Sequence, residues 1–371
     1  MYTNRISTAA RYNLLTADIK RNEDNFNRLT LQLSSGKKIS SITDDPIGAV
    51  NIVNTNRQLG QIETFNQNVS MGMKEIQTMD DLLDLAGGYL STAWDKAVQA
   101  NNGTYGADSL EAIKVEIDEL TKTMVDLANT EFNDSYIFGG ANTKRVPYEI
   151  DDDGNVIYKG TKYDNPDYIR QTEVADGVFE VINTTGDKVF GWFNNVQAQD
   201  ADGNYIFTDA SGKEVIEKDD GSGNKTYEYE DGTAYTGDVN DLTAKQDSSG
   251  VFAALGNLSK ALEEVINAKK SGDSDAEEKG YAKMNATLDM FKKSLDEMTS
   301  EQTKFGGVYN RLEMTESTLE TNNENLTSYL SDLQDVDIAK AASDWYQAQY
   351  AYQASLKVAS SAMGMSLLNY I

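Results

Sequence analysis

The feature that most constrains the fold is a long apolar repeat in the C-terminal third of the chain. Hydrophobic residues recur there at alternating steps of three and four, the spacing of a helix that packs along one face. At about 1.5 Å per residue such a helix would be roughly 75 Å long, much longer than the helices of compact domains. The repeat consists of Met284, Leu288, Phe291, Leu295, Met298, Gln302, Phe305, Tyr309, Leu312, Glu316, Leu319, Asn323, Leu326, Leu330 and Leu333. The sequence therefore predicts a rod-like helix here.

Repeats of the same kind mark further helices on both sides of the middle of the chain. The first lies at Tyr12, Leu15, Ile19, Asn22, Phe26, Leu29 and Leu33, and the second at Ile62, Phe65, Val69, Gly72, Ile76, Met79, Leu83, Ala86, Leu90, Ala93 and Ala97. Shorter repeats lie at Leu110, Ile113, Ile117, Leu120, Met124 and Leu127, and at Phe252, Leu255, Leu258, Leu262 and Val265. The last comprises Ile338, Ala342, Trp345, Gln349, Tyr352, Leu356, Ala359 and Met363, and Leu367 and Leu368 follow it. Polar members such as Asn22 and Gln349 either set the register of the packed helices or face solvent, and the sequence leaves both possibilities open.

Local signals place the ends of these helices. Gly36 follows the first repeat and can adopt the left-handed conformation that ends a helix. Asp45 is a good N-cap for the second helix, and Pro46 suits its first position, where the missing N–H costs nothing. Gly139 and Gly140 predict a bend out of a helix or strand into the middle region.

Between about residues 139 and 250 the composition shifts to Gly, Asp, Asn, Thr and Tyr. Short runs such as NVIYKG, GVFEVIN, NYIFTD, EVIEK and KTYEYE favour strands, and DGN (153–155), DGN (202–204), SGK (211–213), DGSGN (220–224) and DG (231–232) separate them. Turn signals at this spacing predict hairpins and a small all-β unit. The acidic loops at 151–155 and 219–224 lack the ligand spacing and final Glu of an EF-hand, so we interpret them as acidic turns.

The order of helices, β insertion and helices predicts a mainly α chain with an inserted β domain. Because the β block is contiguous, the flanking helices must return beside one another, which predicts an elongated antiparallel helical rod. The terminal coiled-coil helices would lie at one end, and the small all-β domain would project from the rod. We divide the chain into an N-terminal coiled-coil segment (1–45), the N-terminal part of the rod (46–140), the β domain (141–250), the C-terminal part of the rod (251–336) and a C-terminal coiled-coil helix (337–371).

Composition excludes several classes of function. A formal charge of -27 argues against nucleic acid and anionic membrane surfaces as partners. The absence of Cys and His excludes disulfides, thiol nucleophiles, the usual zinc sites and imidazole triads. Paired carboxylates stay possible, but nothing singles out one pair among 60 acidic residues. We expect no enzyme activity, no cofactor, no metal site and no membrane insertion, and the N-terminus MYTNRISTAARYNLLTADIK shows no apolar signal region.

Several segments resemble a known family. RISTAARYNLL and LTLQLSSGKKISSITDDPIGA are similar to the N-terminal region shared by flagellins and the hook-associated junction proteins of the bacterial flagellum. The LAN followed by YIFGG, the VFEVINTTGDKVFG stretch and the ending SLLNYI look closer to the junction proteins. DDP carries a proline where flagellins usually have small residues. The resemblance covers about residues 1–150 and 280–371 and is weak at 195–250.

This resemblance implies a structural protein at the hook–filament junction, outside the cell, exported without a cleaved signal peptide. Its implied partners are the hook-side junction protein, flagellin, a flagellar export chaperone and further copies of itself in a homo-oligomeric ring. The resemblance also implies subunit contacts at Tyr12, Leu15, Ile19, Phe26, Leu29, Leu33, Ile338, Ala342, Trp345, Tyr352, Leu356, Met363, Leu367 and Leu368. We therefore expect residues 1 to about 40 and about 338–371 to be poorly ordered in the free subunit.

Other interpretations remain. Without the resemblance, packing within the chain would be the simplest explanation of the seam at Trp345 and Tyr352. The alternative functions are a flagellin, a signalling coiled coil and a secreted coiled-coil or carbohydrate-active protein. DDP, YIFGG and SLLNYI disfavour a flagellin, and the β insertion disfavours a signalling coiled coil. The acidic β block would keep subunits apart until the termini engage, so its removal should promote association of the monomer.

Overall fold

Long helices flank a central β region in the computed structural model, which describes residues 8–200, 202–209, 213–219, 225–239 and 242–368. The helices within these residues are α1 (Thr8–Ser35), α2 (Pro46–Ala100), α3 (Ala107–Ala128), the single turn α4 (Gly186–Val189), α5 (Gly250–Ser271), α6 (Ser274–Gln334) and α7 (Ile338–Leu368). The prediction of a mainly α chain with an inserted β region is confirmed. None of the described helices contains an apolar stretch long enough to cross a bilayer.

The predicted helix ends are also confirmed. Gly36 follows α1 with φ +70°, the left-handed conformation that a Cβ would disfavour. Asp45 caps α2, because its Oδ1 accepts hydrogen bonds from the N–H groups of Ile47 at 3.1 Å and Gly48 at 3.0 Å. Pro46 is the first residue of that helix. These ends follow from local chemistry that the sequence displays directly.

The strands are short and antiparallel throughout. They are β1 (Glu131–Phe132), β2 (Ser135–Tyr136), β3 (Tyr148–Ile150), β4 (Val156–Tyr158), β5 (Gln171–Ala175), β6 (Val178–Val181), β7 (Trp192–Gln197), β8 (Ile206–Thr208), β9 (Glu214–Asp219), β10 (Lys225–Tyr229), β11 (Thr243–Ala244) and β12 (Gln246–Ser249). Two four-stranded sheets have the orders β12-β7-β4-β3 and β10-β9-β8-β11, while β1–β2 and β5–β6 form separate ribbons. Each of the five runs predicted to favour strands contains a strand.

Two acidic turns of this region have the same hydrogen bonds. Asp151 accepts from the backbone N–H and the side-chain amide of Asn155, both at 2.8 Å. Asp200 does the same with Asn204, at 2.8 and 2.9 Å. These donors lower the pKa of both carboxyls, the side-chain amide having the largest effect. The carboxylates therefore hold turn geometry, which supports the acidic-turn interpretation. The predicted turn at 220–224 and most of that at 211–213 lie outside the described residues.

The predicted bend between the helices and the β region is present. Gly140 has φ +66°, and a Cβ on Gly139 would lie 2.6 Å from the backbone oxygen of Asn142. Beyond the bend, an aromatic cluster joins the β region to α5. Its rings belong to Phe138, Tyr148, Phe190 and Phe252, and neighbouring centroids are 5.0–6.3 Å apart.

Contacts divide the chain into two compact units. Unit 1 comprises residues 1–66 and 317–371, and unit 2 comprises residues 67–316. Unit 2 contains the β region and the parts of α2 and α6 that run antiparallel, since Gly72 approaches Leu312 and Gln302 bonds to Asp80 at 3.4 Å. The five-segment division and the rod-like outline stay predictions.

The predicted seam of α6 is wrong at Leu295, and the neighbouring predicted members Leu288 and Gln302 are half-buried rather than buried. The buried positions do include every second member of the repeat from Met284 onward, at intervals of seven residues: Met284, Phe291, Met298, Phe305, Leu312 and Leu319. The intervening positions, however, are Thr287, Ser294 and Glu301 rather than Leu288, Leu295 and Gln302. Leu295 is 41% exposed. Small or hydrogen-bonded polar side chains occupy these buried positions. Thr287 donates to the Met284 carbonyl at 2.7 Å, and Glu301 accepts from Lys304 at 2.6 Å. Apolar spacing alone cannot reveal that choice.

Candidate assembly surfaces

The terminal helices α1 and α7 pack against each other within unit 1. The ring of Phe26 lies 5.5 Å from that of Trp345 and is stacked on that of Tyr352 at 6.0 Å. Trp345 also donates its indole N–H to the hydroxyl of Thr30 at 2.8 Å. Offset aromatic contacts of this kind contribute about 0.5–1.5 kcal/mol each beyond the burial of their area. The two terminal seams are therefore partners of one another in a single chain.

The segment that follows α1 is tied to the connection between α6 and α7. The backbone N–H of Lys38 donates to the Gln334 carbonyl at 2.6 Å, and its ammonium donates to the Asp332 carbonyl at 3.1 Å. In the opposite direction, Val336 donates to the Gly36 carbonyl at 2.9 Å. These bonds hold the C-terminal end of α1 beside the beginning of α7, which sets the register of the terminal pair.

The predicted subunit-contact residues fall into three groups. Leu29 is buried, and Tyr12, Leu15, Ile19, Phe26, Leu33, Ala342, Trp345 and Tyr352 are half-buried. Ile338 and Leu356 are 62% and 43% exposed. The side chains of Met363, Leu367 and Leu368 lie outside the described part of the structure. Phe26, Trp345 and Tyr352 contact the chain's own second terminal helix. The contact of the whole set with other subunits stays a prediction.

Three large exposed side chains of α7 lie off its predicted seam. Tyr346, Tyr350 and Val358 are 56%, 69% and 57% exposed. The charged residues of α7 are Lys340, Asp344 and Lys357 alone among its 31 residues. By contrast, α1 carries Arg11, Asp18, Lys20, Arg21, Glu23, Asp24 and Arg28 in 28 residues. The outer face of α7 thus combines large exposed apolar side chains with few charges, and burial of those side chains against another molecule would be favourable.

A second apolar patch lies at the beginning of α2. Ile47, Val50 and Val53 are 76%, 53% and 67% exposed, and Ile42 in the preceding loop is 62% exposed. They border a groove of about 370 Å³ that Ile39 and Gln334 also line. The DDP motif predicted a helix cap, with a role in subunit contacts implied by the resemblance alone, and the apolar patch that follows it was not predicted. Its signal was the three-residue spacing of β-branched side chains in PIGAVNIV, which puts them on one face of the helix.

The buried ionisable groups of unit 2 serve structural contacts. Glu75 forms an ion pair with Arg170. The buried hydroxyl of Tyr148 donates a hydrogen bond to the Gly191 carbonyl at 3.0 Å. That burial raises the pKa of Tyr148 well above its ordinary value. Burial also lowers the pKa of Lys260, whose ammonium lies 4.7 Å from the Phe193 ring. Among the described residues no three His, Cys, Asp or Glu side chains form a group that could hold a metal ion.

Two family models match the ends of the chain. The bacterial flagellin N-terminal helical region matches residues 6–143, and the bacterial flagellin C-terminal helical region matches residues 288–371. The matches include α1, α2, α3, most of α6 and α7, and so contain α7 and the beginning of α2, which carry the two apolar surfaces.

Curated relatives extend the similarity over the whole chain. Flagellar hook-associated protein 3 of Escherichia coli K12 is 25% identical over 365 residues, 98% of either chain. The protein of the same name from Salmonella typhimurium LT2 is 24% identical over 364 residues, again 98% of either chain. A flagellin of Clostridium tyrobutyricum is 25% identical over 346 residues, covering 87% of this chain and 89% of its own.

Solved structures share the fold. Flagellar hook associated protein-3 of Legionella pneumophila aligns with a TM-score of 0.54 at 18% identity, over 76% of this chain and 98% of its own. FlgL of Xanthomonas campestris aligns with a TM-score of 0.52 at 20% identity, over 75% of this chain and 99% of its own. At this identity the likeness concerns the fold alone.

Proposed function

This chain belongs to the flagellin-like family of bacterial flagellar proteins, and we propose that it is the structural subunit that joins hook to filament. Relatives named flagellar hook-associated protein 3 match 98% of the chain, whereas the Clostridium flagellin matches 87%. The difference favours a hook-associated protein over a flagellin, which is the second candidate. Both are structural proteins, and we expect no enzymatic activity.

The observation that carries the proposal is the outer face of α7. It presents Tyr346, Tyr350 and Val358 to solvent and has few charges near them. Burial of such a surface contributes roughly 25 cal/mol per Å². In a free chain this face stays exposed to water. In an axial assembly of terminal helices it would be buried, and the burial would stabilise the assembly. Burial of the exposed patch at Ile47, Val50 and Val53, at the beginning of α2, would stabilise an assembly in the same way.

The finer assignments follow from this role. We infer that neighbouring copies form a ring, that the hook-side junction protein and flagellin adjoin it, and that an export chaperone covers the apolar termini before assembly. Location outside the cell, at the junction, is part of the proposal. The acidic composition fits assembly that is delayed until the termini engage, because a net charge of -27 keeps free subunits apart.

The direct test is immunogold electron microscopy of detached flagella with antibody to this chain. A single band where hook meets filament is expected. Label along the whole filament would instead identify a flagellin, and the absence of label from flagella would refute both candidates.

A matched pair of variants tests the α7 surface itself. Tyr350→Asp places a charge on the outer face of α7, and Tyr329→Asp places one at an exposed tyrosine of α6 in the same unit. We expect Tyr350→Asp to abolish the junction band and swimming while secretion persists, and Tyr329→Asp to retain both. Equal behaviour of the two variants would remove the outer face of α7 from the proposal.

A further inference from the structure

An apolar groove lies between α2 and α6 in unit 2, whereas both surfaces described above belong to unit 1. Its volume is about 400 Å³, in the range of pockets that accept drug-sized groups. Trp94 and Leu295 are 42% and 41% exposed on its walls. The lining includes Leu90, Ser91, Trp94, Leu288, Lys292 and Leu295. The groove is therefore large and apolar enough to receive an aromatic side chain with its neighbours.

A matching projection exists on the same unit. The β5–β6 hairpin turns at Asp176 and Gly177, where Gly177 has φ +69°. Val178 and Phe179 follow the turn and are 48% and 55% exposed. We call residues 176–179 the hairpin tip. An exposed phenylalanine beside an exposed valine on a tight turn forms an apolar projection, and its insertion into a pocket would be favourable because apolar area is removed from water.

The hairpin is anchored along α2 and runs away from the groove. Arg170, before β5, pairs with Glu75, and further along the hairpin the Glu173 carbonyl accepts from Asn68 at 2.8 Å. The hairpin thus advances toward lower residue numbers of α2, whereas the groove begins at Leu90.

The contacts with α6 show the same direction. Thr184 lies 3.4 Å from a carboxylate oxygen of Glu301, and Glu180 accepts two hydrogen bonds from Arg311 at 2.7 and 2.9 Å. From Arg311 to Lys292 the rise along α6 is roughly 30 Å, while the tip extends only about 10 Å beyond Glu173. The tip cannot enter the groove of its own chain.

We propose that the groove receives the hairpin tip of a second copy of this chain. Phe179 would enter between Trp94 and Leu295. Asp176 at the tip and Lys292 at the groove form no ion pair among the described residues, and their opposite charges would meet at the rim. Asp289 is the other charged residue that lines the groove, so the ion pair requires Asp176 to approach the lysine side of the rim. Because donor and acceptor surfaces differ, the contact is heterologous, the type that builds rings or open helical rows rather than closed dimers. This inference rests on the proposed function only in its choice of a second copy as the occupant.

Disulfide trapping tests the contact, because the chain has no cysteine of its own. Full-length Val178→Cys is mixed with Ser91→Cys and oxidised, at the highest concentration that remains clear by light scattering. The control mixture contains Val178→Cys with Val115→Cys, whose position on α3 is 57% exposed. Burial of one aromatic side chain favours association about tenfold or more, so we expect at least about tenfold more cross-linked dimer in the first mixture.

Two further variants sharpen the result. The double variant Ser91→Cys with Val178→Cys should give a ladder of oligomers, since one chain cannot close the bond on itself. Adding Phe179→Asp should reduce the yield to that of the control. Equal yields in both mixtures, or an intramolecular disulfide in the double variant, would overturn the proposal.

The immunogold experiment separates this inference from the proposed function. A junction band without specific cross-linking refutes the tip-and-groove contact alone. Specific cross-linking with label along the whole filament supports the contact and refutes the junction role.

Discussion

Gly191 lies where the β region meets the helices, and its replacement by alanine should destabilise unit 2 strongly. Its φ is +68°, a conformation that costs an L-residue about 1–2 kcal/mol. The new Cβ would also lie 1.9 Å from the backbone oxygen of Ser249, far inside the usual 3.5–4.0 Å contact between carbon atoms. The chain at Ser249 and Gly250 must then move, which strains the 3.0 Å hydrogen bond from Phe252 to the Phe190 carbonyl. Overpacking of this kind and loss of the bond bring the cost to roughly 3–6 kcal/mol.

Gly154→Ala is the matched control for this prediction. Gly154 has φ +78°, but nothing lies within 4 Å of its Cβ position, so only the backbone cost of about 1–2 kcal/mol applies. Urea unfolding followed by tryptophan fluorescence measures both variants, because Trp192 adjoins Gly191 and Trp94 lies in the same unit. We expect an unchanged slope and a much lower midpoint for Gly191→Ala. A free energy of unfolding within about 1 kcal/mol of that of Gly154→Ala would refute the reasoning, since it would mean that the backbone relaxes freely.

Three further outcomes are expected. Asp45→Ala removes the N-cap of α2 and should lower the helix's local stability by about 1 kcal/mol, measured as faster amide exchange in its first turn; unchanged exchange would contradict the capping role. Asp151 and Asp200 have a lowered pKa in the folded chain, so their contribution to stability is present above the ordinary Asp pKa and is lost as the pH falls through the folded value. Carboxyl NMR titration should show both titrating below exposed aspartates, and midpoints at the ordinary value would exclude the turn bonds. Amide exchange on the monomer should show weak protection over residues 8–35 and 338–368 that rises on assembly, whereas strong protection of both segments in the monomer would reject coupled ordering.

Features that depend on neighbours along the chain could be predicted from residue type and spacing. The cap at Asp45, the left-handed Gly36 and the acidic turn at Asp151 all use bonds within a few residues, so residue type and spacing suffice to predict them. The helix repeats predicted α1 to α3 and α5 to α7 for the same reason, because helical periodicity is local. The family resemblance likewise rested on short contiguous segments, most of them toward the two ends of the chain and one at residues 178–191.

Which face of each helix is covered could not be predicted from local spacing, because it depends on contacts between distant segments. Leu295 belongs to an apolar repeat, yet it lines an open groove while Ser294 beside it is buried. Tyr350 was not among the residues predicted to contact other subunits, yet it is among the most exposed apolar side chains of α7. A heptad pattern specifies that one stripe packs, but the rotation of the stripe depends on partners distant in sequence. The position of Phe179 at a free hairpin tip depends likewise on bonds to Asn68 and Arg311, which are more than one hundred residues away. Surfaces available for assembly are what remains after those long-range contacts are made, and local spacing therefore cannot predict them.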